Sequence, residues 1–332
     1  MTRYVLRRLG HALVVLWGAV TLSFLVVQLI PGDPARIMLG GGASGGEGAG
    51  AADDGQVAAL RTELGLDRPV LAQYAAYLVR VVTLDWGTSF AKRQPVTDVI
   101  ASGLESTLQL GAASIALTVV LGVLFGLGGV LLPGRWVRSA FQSITVLGIA
   151  VPSFWLAILL LQVFSFGLGW FPAFGAGSPA ALVLPALTLA LLSAGTLGQL
   201  LTRGIEDGLR EPYADTARAK GLSRAGVVLR HVLRNASLPV FTMVGMLIGS
   251  ILSGATIVET IYGRPGIGNL FVVAVQARDF PLIQALVVLT GGVFVLVTLL
   301  VDIAYRWIDP RVVEPDRREG ARRPHERAGA AA

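Results

Sequence analysis

The sequence predicts an all-α polytopic membrane protein with six transmembrane helices, and three observations predict it. Of its 332 residues 54% are hydrophobic and only 14% charged, with a mean hydropathy of +0.68, too apolar for a soluble chain of this length. Six apolar stretches reach the roughly 20 residues that a helix needs to cross a hydrocarbon core about 30 Å thick. Basic residues are concentrated in alternate loops, the pattern that orients a multi-pass protein.

The spans fall near Leu9 to Ile30, Thr107 to Leu132, Ala140 to Phe166, Leu182 to Leu201, Pro239 to Val258 and Leu282 to Tyr305. The first follows Arg3, Arg7 and Arg8. It exceeds the roughly 7 to 15 residues of a signal-peptide core and precedes no small-x-small cleavage site, so it reads as an uncleaved span. Arg135 and Arg138 follow the second span, seven basic residues from Arg203 to Arg234 follow the fourth, and seven more lie beyond Tyr305. These place both termini in the cytoplasm. Residues 1–30 then make the N-terminus and first span, 31–103 an extracytoplasmic segment, 104–308 a five-helix core with a polar loop at 203–238, and 309–332 a cytoplasmic arginine-rich tail. Pro152 and Pro185 are expected to kink or interrupt their spans. Gly122 with Gly126, and Gly245 with Gly249, have the small-xxx-small spacing of close helix contacts.

The extracytoplasmic segment opens on Pro31-Gly32-Asp33-Pro34 and crosses a Gly/Ala run from Gly40 to Gly55 that is expected to be disordered. It continues through Leu64-Gly65-Leu66-Asp67-Arg68-Pro69 and closes on Asp85-Trp86-Gly87-Thr88-Ser89. Between these, Val70, Leu71, Tyr74, Leu78, Val81 and Val82 recur at helical period, predicting an amphipathic helix against the membrane or the spans.

Two polar motifs stand out. In the inner loop, Tyr213-Ala214-Asp215-Thr216-Ala217-Arg218-Ala219-Lys220-Gly221-Leu222 follows Pro212 and precedes Asn235 and Leu238-Pro239. Pro212 suits the first turn of a short helix and Gly221 its left-handed stop, and the alanines leave a face that another protein can approach. In the last outer loop, Glu259 is followed by Arg264-Pro265-Gly266-Ile267-Gly268 and then Arg278-Asp279-Phe280-Pro281. Glycine and proline there argue against a simple helix and for a re-entrant or plug-like segment at the outer mouth.

The inner loop resembles the EAA loop of ABC importer permeases, specifically the dipeptide/oligopeptide B-type membrane subunits. Asp215 stands where the general motif has Glu, Thr216 replaces its first Ala, and the longer run from Gly221 to Leu238-Pro239 fits the peptide branch. The outer motifs, Pro-Gly-Asp-Pro, Leu-Gly-Leu-Asp-x-Pro, Gly-x-Ser, and the Glu259, Pro265, Gly266, Gly268, Arg278 and Asp279 elements, occur in the same order in that family. The resemblance implies a type I importer permease fold in a bacterial inner membrane. It also implies a coupling helix seated in a groove of a separate ATPase, with Tyr213, Asp215, Ala217, Arg218, Lys220, Gly221 and Leu222 as the coupling set. Asp215, Arg218 and Lys220 would orient it by charge, Ala217 would allow close approach, and Gly221 would end it. The implied partners are a C-type permease subunit, two ABC ATPase subunits and an extracytoplasmic substrate-binding protein. Membrane lipid surrounds the spans and no nucleic-acid partner is expected. Di- and oligopeptides come first as cargo, with nickel chelates, glutathione and opine-type metallophores as alternatives.

The residues themselves argue against chemistry in this chain. The only lysines, Lys92 and Lys220, each follow alanine, whereas a Walker A loop needs Gly-Lys before Ser or Thr. No cofactor is expected, and ATP would be bound by partner subunits. Gly42-Ala43-Ser44-Gly45-Gly46 matches Gly-x-Ser-x-Gly only in form, lacking a strand and helix around it. Cysteine is absent and the three histidines, His11, His231 and His325, are scattered, which argues against a metal site. An ATPase-independent secondary transporter would need ionisable residues near the membrane midplane; His11 and Asp302, the only ones inside the spans, sit near span ends.

Overall fold

The computed structural model describes residues 2–29, 32–39 and 53–308. The first helix, α1 (Thr2–Leu29), runs without a break. Pro-Gly-Asp-Pro is a helix start: Asp33 accepts the Ala35 N–H at 3.1 Å and Pro34 opens the short α2 (Pro34–Met38), the residue types favoured at N-cap and first turn. Helix α3 (Asp54–Leu64) ends at Gly65, φ 69°, where a left-handed stop suits glycine. Helices α4 (Val70–Thr83) and α5 (Val96–Leu131) follow. At about 1.5 Å per residue the 36 residues of α5 span about 54 Å, well beyond a hydrocarbon core of about 30 Å. Its first turns lie inside the segment that the sequence reading assigned to 31–103.

The predicted third span is not one helix. Helix α6 (Arg135–Ala150) stops, and Pro152 caps a new start, α7 (Ser153–Leu160), which continues as wider π-helical turns over Leu161–Gly167. Proline disfavours the α conformation at Val151 and supplies no N–H to continue the ladder. Pro185, by contrast, lies within an unbroken α8 (Ala180–Gly208). The chain then forms α9 (Pro212–Ala219), α10 (Arg224–Val227), a π-helical stretch Val228–Val232, α11 (Leu233–Ile261), α12 (Ile267–Gln276) and α13 (Phe280–Ile308). Among the described residues, five helical stretches are long and apolar enough to cross a membrane. Residues 40–52 of the glycine run and the tail beyond Ile308 lie outside the described residues, while Asp54 and Gly55 belong to α3.

Small residues set the core. A Cβ on Gly122 would stand 2.5 Å from Leu197 Cδ2, and one on Gly126 would stand 2.8 Å from Leu201 Cβ. Both leucines, at most 1% exposed, therefore sit in notches of α5, and α8 lies directly against it. In lipid this contact rests on packing and dispersion, because acyl chains are as apolar as leucine. Gly249 meets Phe294 of α13 at ordinary contact distance. At one end of the bundle Val130, Leu201, Ile205, Leu209, Val228 and Val232 form a cluster that receives α9; at the other, Val96, Val99, Ile267, Leu270, Leu282 and Leu286 form one that receives α12.

Helix α4 packs on α1 through aromatic residues. Phe24 lies 5.3 Å from Tyr74 and 5.8 Å from Tyr77 between ring centres, and the phenols bond Thr21 at 2.7 Å and Ser23 at 2.8 Å. Tyr74, Leu78 and Val81 face this cluster, but Val70, Leu71 and Val82 are exposed. The apolar period of α4 thus serves two faces rather than one.

Candidate functional site

Helix α9 projects its polar side and buries its small one. Pro212 opens it, and Gly221, φ 84°, closes it with the paired bonds Gly221 N–H to Arg218 O, 2.9 Å, and Leu222 N–H to Ala217 O, 3.3 Å, the arrangement that satisfies the last carbonyls of a helix. Arg218 reaches Asp215 at 2.9 Å and the Leu209 carbonyl at 3.1 Å, tying α9 to the end of α8. Asp215, Thr216, Arg218, Ala219 and Lys220 are exposed, whereas Tyr213 and Leu222 are half-buried against the cluster beneath. Ala217 corrects the sequence reading. It is 6% exposed and Ala214 0%, and both face this chain's own Leu209, Val228 and Val232. Ala217 lets the peg approach its own bundle, and the face left exposed carries Asp215, Arg218 and Lys220.

At the opposite end, Glu259 forms the centre of a clamp. The last turn of α11 closes at Gly263, φ 59°, with the Arg264 N–H on the Glu259 carbonyl at 2.8 Å. The chain then doubles back so that the Glu259 carboxylate meets the start of α12. One oxygen accepts the Gly268 N–H at 2.8 Å and the Asn269 N–H at 3.2 Å; the other accepts the Thr107 hydroxyl at 2.6 Å. Thr107 in turn accepts the Ile267 N–H at 2.8 Å. A carboxylate there satisfies free helical N–H groups and complements the helix dipole. The glycines are required by space: a Cβ on Gly266 would lie 2.1 Å from Glu259 Cδ, and one on Gly268 would lie 2.3 Å from Thr256 Cα.

Arg264 completes the clamp. It is 1% exposed and donates to the Ala181 carbonyl and to Ser106 Oγ, each at 3.3 Å. Ala181 lies four residues before Pro185, whose ring nitrogen has no hydrogen to give it, so the arginine takes the bond that the proline leaves open. Burial lowers the Arg264 pKa and the charge of Glu259 opposes that shift, so the guanidinium stays cationic. Burial likewise pushes the neighbouring Tyr262 phenol up to about 12, against its hydrogen bond with Thr188; it acts as a neutral polar anchor.

The second outer motif forms a separate latch. Asp279, 1% exposed, accepts the Ser89 hydroxyl at 2.5 Å, the Ala91 N–H at 3.1 Å and the Leu282 N–H at 3.3 Å. It therefore caps α13 and pins the turn after Trp86. Arg278 contributes through its backbone, at φ 56°, with its side chain exposed. Pro265 is also exposed. The outer loop is not a simple helix: the short α12 stands between turns at Gly263 and Arg278. Sequence reasoning missed Arg264, Thr107, Ser106 and Ser89 as site residues. Arg264 stood within the Arg-Pro-Gly-x-Gly motif, and the Gly-x-Ser motif already contained Ser89.

Among the described residues no cluster of His, Asp or Glu could hold a metal ion. Residues 118–314 match the family described as "Binding-protein-dependent transport system inner membrane component", and residues 1–111 match that described as its N-terminal region. The glutathione transport system permease protein GsiC of Salmonella typhimurium strain LT2 is 41% identical over 313 residues, covering 94% of this chain and 99% of that one. Its namesake in Escherichia coli strain K12 is 40% identical over the same coverage. Two solved structures share the fold. A chain of the inward-facing MetNI methionine ABC transporter has a TM-score of 0.53 at 17% identity, covering 65% of this chain and 98% of that one. A chain of an amino acid ABC transporter with histidines has a TM-score of 0.52 at 18% identity, covering 64% and 94%. With the family match running through α8, α9 and the clamp, and the relatives matching nearly end to end, this chain belongs to the inner membrane components of binding-protein-dependent transport systems.

Proposed function

We propose that the chain is the B-type permease subunit of an ABC importer for short peptides, in which α9 passes movement of separate ATPase subunits to the membrane helices. At family level it is a multi-pass inner-membrane transport component rather than an enzyme, working with ATPase subunits and a substrate-binding protein. The observation that carries the coupling role is the construction of α9: a short helix closed at Gly221, buried through Ala214 and Ala217, bonded to α8 through Arg218, and charged on its outer side. A peg so seated transmits a push to α8 and α11 as a rigid unit. The partner permease is proposed to be a distinct C-type chain, with two ATPases on the α9 side and the binding protein at the clamp side.

Glutathione is itself a small peptide, and the relatives that carry it in their names match almost the whole chain. Glutathione therefore stands beside dipeptides as the first cargo to test, ahead of nickel chelates and opine-type metallophores. The test is ATP-dependent uptake of labelled dipeptide and of labelled glutathione into vesicles holding this chain with its neighbouring permease, ATPases and binding protein. Uptake is expected with wild type and is expected to be lost with Gly221→Asp while the complex still assembles, because a side chain at φ 84° costs on the order of 1 kcal/mol and misdirects the loop. Uptake by this chain alone, indifferent to ATP and to the substitution, would overturn the reading.

A further inference from the structure

A cavity of about 390 Å³ opens at the clamp end among α1, α4, α13 and the turn at residues 85–88. We propose that it binds the headgroup of an anionic phospholipid. The cavity carries two arginines, Arg68 and Arg80, against one carboxylate, Asp85, a surplus of one positive charge. Among the described residues neither arginine has a carboxylate within ion-pair distance, although its neighbours do: Arg36 pairs with Asp54 at 2.8 Å, and Arg61 with Asp33 at 3.3 Å and Asp67 at 3.4 Å. Asp85 faces its own turn, where it accepts the Gly87 N–H at 3.4 Å. Arg68 precedes α4 and Arg80 lies in its last turn, so the two guanidinium groups stand at opposite ends of the cavity, and each offers a fork that suits a phosphodiester, which accepts paired N–H bonds.

The rim is built rather than incidental. Gln73 donates to the Leu66 carbonyl at 3.1 Å and the Arg68 carbonyl at 2.8 Å, and accepts from Gln28 at 2.7 Å, which holds the Arg68 loop against α1 and α4. The wall is aromatic, with Phe24, Tyr77 and Trp86, the residue types that settle at headgroup depth. A membrane lipid is favoured over a soluble anion because both flanking helices offer apolar faces beside the cavity. Leu25, Val26 and Leu29 of α1, and Leu71, Val79 and Val82 of α4, are exposed. A headgroup seated in the cavity at either arginine would bring its acyl chains onto these faces.

The test uses the assembled transporter in nanodiscs of phosphatidylcholine containing a minor fraction of phosphatidylglycerol, with retained lipid counted by native mass spectrometry. Wild type is expected to enrich phosphatidylglycerol, and the double variant Arg68→Gln/Arg80→Gln to lose that preference by about thirty-fold, taking two basic residues near an anionic headgroup. Arg68→Lys/Arg80→Lys, which keeps the charge but removes the forks, is expected to fall between the two. Equal enrichment in wild type and the Gln variant would overturn the proposal. Saturable binding of inorganic phosphate or glycerol phosphate that removes the lipid preference would replace the membrane lipid with a soluble anion and so overturn the lipid assignment. Loss of binding-protein association in the Gln variant, with lipid retention unchanged, would also overturn it and mark the cavity as a protein contact.

Discussion

Removing the Glu259 side chain is the sharpest perturbation that the clamp allows. Glu259→Ala strips the acceptor from the Gly268 and Asn269 N–H groups, each costing about 1 to 3 kcal/mol when left buried and unpaired. It also removes the anion at the start of α12, worth roughly 0.3 to 1 kcal/mol. The Thr107 hydroxyl can rotate to another acceptor and is not counted. The expected loss is roughly 3 to 6 kcal/mol, because Arg264 is left as a buried cation without its counter-charge. Glu259→Gln should cost less, about 1 to 2 kcal/mol. Its amide oxygen can take the two N–H groups while its NH2 donates to Thr107 Oγ1, so the change is chiefly one of charge. The double variant Glu259→Ala/Arg264→Ala should be milder than the sum of its singles by about 0.5 to 3 kcal/mol, the coupling expected within one network. Reversible unfolding by SDS in mixed micelles, followed by tryptophan fluorescence, measures all four. A Glu259→Ala protein within about 0.5 kcal/mol of wild type, or strictly additive singles, would refute the account of the clamp, since surface changes commonly stay within that margin.

The other expectations follow from the same geometry. Asp279→Ala should lower stability by about 2 to 4 kcal/mol through lost bonds to Ser89, Ala91 and Leu282, and hydrogen exchange should rise first over residues 89–93. Gly126→Val should cost about 1 to 3 kcal/mol by overpacking against Leu201, read as a lower unfolding midpoint. Arg218→Ala removes an exposed pair worth at most about 1 kcal/mol and the bond to the Leu209 carbonyl, worth about 0.5 to 1.5 kcal/mol, so stability should fall by no more than about 2.5 kcal/mol while ATP-coupled uptake falls. Arg278→Gly should leave stability unchanged or raise it by about 1 kcal/mol, because the residue adopts a left-handed backbone and its side chain is exposed.

Most of the fold was legible because long apolar runs admit few readings in a membrane. The third span was drawn as one stretch because its composition stays apolar from Ala140 to Phe166, but the break was legible in Pro152, which was expected to kink or interrupt it: one helix ends at Ala150 and another starts at Ser153. Pro185 has the same chemistry but is absorbed, because Arg264 compensates for it from another loop. The short helix α9 was legible in outline, since Pro212 and Gly221 mark its ends. The orientation of Ala217 was misread although the information was present: Ala214 and Ala217, three apart, share one face, while Asp215 and Arg218, also three apart, share another. Glu259 and Asp279 could be named from motifs, but their partners could not. Thr107 and Ser89 lie 152 and 190 residues away in the chain, and nothing local in either sequence points to the other.

That separation has a consequence for how the molecule is made. The bond from Thr107 to Glu259 spans 152 residues, that from Ser106 to Arg264 spans 158, and that from Ser89 to Asp279 spans 190. At a synthesis rate of about 5 to 20 residues per second, roughly 8 to 40 s pass between the appearance of the earlier partner and the later one. Throughout that interval the hydroxyls of Ser89, Ser106 and Thr107 lack these long-range partners. The clamp end therefore becomes native last, after α5 and α8 have already met through their glycine notches. A chain released before Asp279 would hold most of its helices and lack the latch that closes them.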